Sequence, residues 1–149
     1  MIKFERSALV PFSAAQMYEL VNDIETYPIF LPWCVKAVVL ETYHHEMLAS
    51  IEVSAAGMHK SFTTRNQLTV NEKIEMRHVD GPFKSLLGIW TFQALGAAGC
   101  KVDLEMEFEV ASGLKSALFG MFFNKATEKL VDAFIERAHQ MYGESLKHD

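Results

Sequence analysis

Cysteine is nearly missing from this chain: Cys34 and Cys100 are the only two in 149 residues. Two thiols without metal-type spacing exclude a disulfide framework and a thiolate zinc site, and two reduced, buried thiols are the expectation. Long hydrophobic runs are missing as well, since no stretch approaches the roughly 18 continuous apolar residues of a membrane span. The N-terminal MIKFERSALV is broken by charges and reads as a strand rather than a signal peptide, so a cytoplasmic location is expected. A basic surplus is lacking too, with 14 Lys and Arg against 19 Asp and Glu and a net charge of −5. Non-specific nucleic-acid binders carry a basic balance, which weighs against RNA coating and against a DNA partner and leaves only a local basic face open. No Gly-rich phosphate loop, GxSxG elbow or HExxH occurs.

What remains is an ordinary globular composition, 50% apolar and 22% charged, long enough for one domain over residues 1–149 with a substantial core. Its clearest pattern lies in the last third. KVDLEMEFEV, residues 101–110, alternates strictly between apolar and charged side chains. That predicts a half-buried strand with Val102, Leu104, Met106, Phe108 and Val110 inward and Asp103, Glu105, Glu107 and Glu109 in water. The carboxylates repeat as any solvated strand face does, and a general acid needs burial or a tuned partner besides. A helical pattern runs on from Gly113 to Tyr142, about 30 residues and about 45 Å long. Its first half is greasy all round, through Leu118, Met121 and Phe122, and contains Gly120, which implies either a close approach to a sheet or a bend. The second half is amphipathic. Lys115, Lys125, Lys129 and Arg137 lie along it with Glu128, Asp132 and Glu136 between them, as on a solvated helix surface.

Upstream, Ile2–Val10 reads as a strand, and Ser13 to Gln16 forms a capping box that opens a short helix. In residues 27–34, YPIFLPWC, two prolines interrupt a run of large apolar groups, predicting an apolar loop or a single helical turn. Six further strands follow at about 35–42, 47–54, 58–70, 73–79, 85–95 and 101–110, joined by short turns and therefore antiparallel. Hairpins ending in one long helix predict an α+β helix-grip: a curved antiparallel sheet around a C-terminal helix, with a hollow between them.

The hollow is where a site is expected. Inward positions Phe62, Thr64, Asn66, Ile74, Met76, Trp90, Phe92, Leu104, Met106 and Phe108, with Leu118, Met121 and Phe122 from the helix, are the cavity candidates. Tyr27, Phe30 and Trp33 are candidates for an apolar mouth in contact with a membrane. Two readings of Thr64 and Asn66 stay open: they orient a polar ligand head, or they satisfy each other. Core filling is the competing account of the Met and aromatic set. His44, His45, His59, His78, His139 and His148 read as surface imidazoles, with no ligand spacing for a metal.

Three blocks in order, residues 8–34 (ALVPFSAAQMYELVNDIETYPIFLPWC), SFTTRNQLT and VDGPFKSLLGIWTF, resemble the bacterial RatA and mitochondrial coenzyme Q-binding family, within the START-like, polyketide-cyclase-like superfamily. The likeness runs from Ser7 to Tyr142. It implies the helix-grip fold already read from the pattern, with an apolar cavity. For function it implies a non-enzymatic protein that binds ubiquinone or another isoprenoid lipid in support of respiration. The alternative is a ribosome association toxin, as in toxin–antitoxin pairs, that binds the large subunit and blocks joining of the small one. A polyketide cyclase-like enzyme comes third, and the family carries no agreed catalytic residues or cofactor to transfer. Mitochondrial members have a transit peptide and this chain shows none, so a bacterial, cytoplasmic protein is expected, with transient contact at the inner membrane. For ribosome docking the candidate side chains are Lys60, Arg65, Arg77 and Lys84.

Overall fold

The computed structural model describes residues 1–55 and 57–147, which leaves His148 outside the described residues. Seven strands form one sheet: β1 (Ile2–Val10), β2 (Cys34–Tyr43), β3 (Glu46–Ala55), β4 (Met58–Thr69), β5 (Lys73–Asp80), β6 (Phe83–Ala94) and β7 (Cys100–Val110). Their order is β1-β7-β6-β5-β4-β3-β2, and every neighbouring pair is antiparallel. Hairpins link β2 through β7 in sequence, while β1 returns to pair with β7. The chain therefore crosses from one sheet edge to the other between β1 and β2. It does so through α1 (Ala14–Asn22), a 3₁₀ turn (Ile24–Thr26) and α2 (Tyr27–Phe30).

Local chemistry explains these connections. The Ser13 hydroxyl accepts from the Gln16 N–H at 3.1 Å, and the Gln16 side-chain Oε1 accepts from the Ser13 N–H at 2.9 Å, closing the expected capping box. Pro28 sits in the first turn of α2, where a missing N–H costs nothing, and Pro32 forces Leu31 to an extended conformation that ends the helix.

The alternation in β7 holds: Val102, Leu104, Met106 and Phe108 are buried, and Lys101 and Glu105 are exposed. Both thiols are free and buried, and burial pushes the Cys34 thiol up to about 11.

One expectation is corrected. The C-terminal helix is not a single rod but two pieces, α3 (Leu114–Glu128) and α4 (Leu130–Lys147). The cause is Thr127, whose hydroxyl donates back to the carbonyl of Phe123 at 2.8 Å. Such back-bonding loosens the helical ladder, and the Lys129 N–H turns to the Ala126 carbonyl at 3.2 Å.

Two aromatic clamps hold the helices to the sheet. Phe123 of α3 packs 4.9 Å from Phe83, 4.9 Å from Phe108 and 5.7 Å from Phe62 between ring centres. Phe134 of α4 packs 5.3 Å from Trp90, 5.3 Å from Tyr27 and 5.2 Å from Phe30. Edge-to-face pairs of this kind add about 0.5–1.5 kcal/mol each beyond the area they bury.

Gly120 lets α3 come this close, because a Cβ there would lie 3.0 Å from Val110 Cγ1. Gly120→Val is therefore expected to destabilise by about 1–3 kcal/mol in chemical denaturation, although valine is the better helix former. Adding Val110→Ala should recover part of the loss. A neutral Gly120→Val, or a double variant with no recovery, contradicts the contact.

Candidate functional site

Between the two clamps, under the bend where α3 meets α4, lies an enclosed cavity. Sheet residues Ile51, Phe62, Thr64, Asn66, Met76, Leu86, Trp90 and Met106 form its floor. Phe123, Thr127, Leu130 and Phe134 roof it, and Ile24, Tyr27 and Trp33 close one end. Its volume is about 60 Å³. That is room for a few waters and short of a prenylated quinone. The expected hollow exists, but packing fills most of it. Gly88 contributes to this: the space a side chain would take there is occupied by Met76 and Met106, whose Cε and Sδ lie 2.6 Å and 3.3 Å from the Cβ it lacks. Unbranched methionines fill irregular gaps of this kind.

The structure sorts the sequence candidates. Phe62, Thr64, Asn66, Met76, Trp90 and Met106 line the cavity, as do Tyr27 and Trp33. Ile74, Phe92, Leu104 and Phe108 are buried but lie outside its lining. Phe92 is covered by Tyr18 at 5.9 Å, and Phe108 is taken up by the Phe123 clamp. Phe30 packs on Phe134, with the Arg137 guanidinium 5.4 Å above its ring. Leu118 and Met121 point away from the sheet, 48% and 62% exposed, and with half-buried Phe122 they line an outer groove. The phase of α3 decides this: Phe119, Phe123, Ala126 and Thr127 face inward, so Leu118 and Met121 cannot.

Thr127, Leu130 and Phe134 were missed as cavity residues. Their spacing from Phe123 marks one continuous helical face, a signal that the sequence contained.

The polar content of the cavity is small. Thr64 and Asn66 are buried, and the Thr64 hydroxyl donates to Asn66 Oδ1 at 2.8 Å, so these two do satisfy each other. Thr127 is occupied by its own helix. Burial pushes the Tyr27 phenol well above its usual range, and its hydroxyl donates to the Val21 carbonyl. His78, expected as a surface imidazole, instead stacks edge-on against Phe83 at 5.8 Å, half-buried outside the lining, and leaves Nε2 unpartnered. The cavity thus offers hydrogen bonds and apolar surface, and no acid–base pair.

The outer face of the sheet carries charge of both signs. Arg65 and Arg77 are directly opposed on β4 and β5. Arg65 meets Glu46 at 3.3 Å and Arg77 meets Glu75 at 3.1 Å. Lys84 is exposed at the start of β6, and Lys60 turns the other way, into the groove beside α3. His44, His45, His59 and His139 are exposed.

Across β1 and β7, Glu5, Asp103 and Glu105 cluster within 4.8 Å. The hydrogen bond to Glu105 and the charge of Asp103 raise the Glu5 carboxyl above its ordinary value. A raised carboxyl holds its proton better in the folded state, so its contribution is favourable below the unfolded value and is lost as pH rises through the folded one. Glu5→Gln should therefore melt higher than the parent at about pH 7, with the difference gone near pH 3. An equal gap at both values contradicts this.

Comparison with known proteins adds four findings. Residues 10–135 match the family described as polyketide cyclase / dehydrase and lipid transport. The ribosome association toxin RatA of Vibrio cholerae is 52% identical over 144 residues, 97% of this chain and 100% of that one. The mitochondrial coenzyme Q-binding protein COQ10 homolog B of Xenopus laevis is 30% identical over 147 residues, 95% of this chain and 60% of that one. Among solved structures, the Zhui aromatase/cyclase of Streptomyces sp. R1128 superposes with a TM-score of 0.81 over 93% of this chain and 94% of that one, at 17% identity. That last likeness shows the helix-grip, START-like fold and nothing of the chemistry.

Proposed function

This chain belongs to the polyketide cyclase / dehydrase and lipid transport family, in its RatA and coenzyme Q-binding branch, and on that premise we propose that it is a ribosome-associating protein. In this reading it docks on the large subunit, obstructs joining of the small one, and catalyses nothing. The end-to-end likeness to a ribosome association toxin carries the reading. The nearly filled interior agrees with it, since a protein that acts by docking needs no cavity.

Arg65 and Arg77 are the docking residues we favour from the sequence candidates. Two arginines directly opposed across a strand pair repel each other. Both arginines are exposed and their partners Glu46 and Glu75 are half-buried at the sheet surface, and a phosphate can replace these pairs with the bidentate geometry that guanidinium prefers. Adding the protein to ribosomes in a sucrose gradient should raise free subunits at the expense of joined ribosomes. The double variant Arg65→Gln/Arg77→Gln should lose that effect about tenfold or more while melting as the parent does. An unchanged ratio with the parent protein removes the reading.

A second reading rests on one observation, the buried polar pair Thr64 and Asn66 in the lining of an otherwise apolar cavity. It favours an apolar ligand that carries a hydrogen-bond acceptor, of which an isoprenoid quinone is the leading case. Binding would have to enlarge the cavity by moving α3 or α4, both of which roof it. Trp33 and Trp90 are the chain's only tryptophans and both line it, so quenching of intrinsic fluorescence by a short-chain ubiquinone reports occupancy directly. Asn66→Leu, which keeps the volume and removes the donor, should weaken that quenching about tenfold. No quenching, or equal quenching by the variant, defeats the quinone.

A further inference from the structure

We propose that the outward face of α3, with the adjoining end of β4, docks on an anionic lipid bilayer. The inner face of α3 is already committed to the Phe83 and Phe108 rings, yet its outer face is also apolar. Leu114 is 78% exposed, Met121 62% and Leu118 48%. Leu118 and Met121 border a groove in which Lys60, Lys115 and Lys125 supply the charge, and no carboxylate lines it. Elsewhere among the described residues Lys3, Arg6, Arg65 and Arg77 each pair with a carboxylate, whereas this strip sets lysines beside exposed aliphatic side chains with no carboxylate in its lining.

Charge complementarity and apolarity together select the partner. Lysines suit phosphate of any origin, but leucine and methionine tips gain nothing from a nucleic-acid backbone. At a bilayer they reach the boundary between headgroups and acyl chains while the lysines remain among the phosphates. No helix among the described residues is long and apolar enough to cross a membrane, so the contact is peripheral. The face lies on the opposite side of the sheet from Arg65 and Arg77, and it needs no ligand in the cavity. It therefore stands apart from both readings given under proposed function.

The test is flotation of the full chain with quinone-free vesicles, either equal parts phosphatidylglycerol and phosphatidylcholine or phosphatidylcholine alone. The protein should float with the anionic vesicles and remain at the bottom with the neutral ones. Leu118→Ser/Met121→Ser and Lys115→Gln/Lys125→Gln should each lower the bound fraction about tenfold, and Arg65→Gln/Arg77→Gln should not. All these side chains are exposed, and the lysine pair touches no core residue, so it remains a fair probe even if the serine pair lowers stability. Failure to float with anionic vesicles overturns the proposal. So does flotation unaffected by the Leu118 and Met121 changes, which would be electrostatic adsorption alone. Loss of ribosome binding in the lysine pair with vesicle binding intact would assign the face to RNA and overturn it as well.

Discussion

Everything in this structure depends on how tightly a bent sheet closes over its helices, and the closure is made by phenylalanine. Phe123 meets Phe62, Phe83 and Phe108, and Phe134 meets Trp90, Tyr27 and Phe30. Truncating either ring to alanine would cost about 3–5 kcal/mol, a large part of the marginal stability of a domain this size. Gly120 permits the first clamp by removing a side chain where α3 touches Val110, and the break beside Thr127 separates the helix that carries the first clamp from the helix that carries the second. What remains between the clamps is about 60 Å³. The polar and charged chemistry not spent on this interior lies on the surface.

That surface is divided. The β1 and β7 end is acidic, with Glu5, Asp103 and Glu105 crowded together. The middle of the outer sheet holds the opposed arginines. The outer side of α3 is apolar and basic. An overall charge of −5 conceals these differences, and it gave no hint of where a nucleic acid or a lipid would be received. The cavity keeps one buried polar pair, Thr64 and Asn66, and it is the remaining argument for a ligand inside.

Much of this was legible beforehand. Strand boundaries follow from period-two alternation and turn residues, and β7 is the clearest example because its charges never fall on the inner side. The capping box at Ser13 needs only local chemistry. The mutual satisfaction of Thr64 and Asn66 was one of two readings left open, and geometry chose it. Two things could not be read. The first half of the C-terminal helix is apolar all round, so periodicity assigns no inward face, and Leu118 and Met121 were placed inside when they lie outside. Cavity volume is a small difference between large packed volumes, and nothing in a pattern of apolar residues reveals that Met76 and Met106 would occupy the space beside Gly88.

Photo-crosslinking from single positions, with purified large ribosomal subunits, tests most directly whether the surface acts as described. A crosslinking side chain at Gln67, exposed on β4 beside Arg65, should capture ribosomal RNA or protein, and one at Met121 on α3 should capture neither. Capture through Met121 with none through Gln67, or capture through neither, would contradict the account.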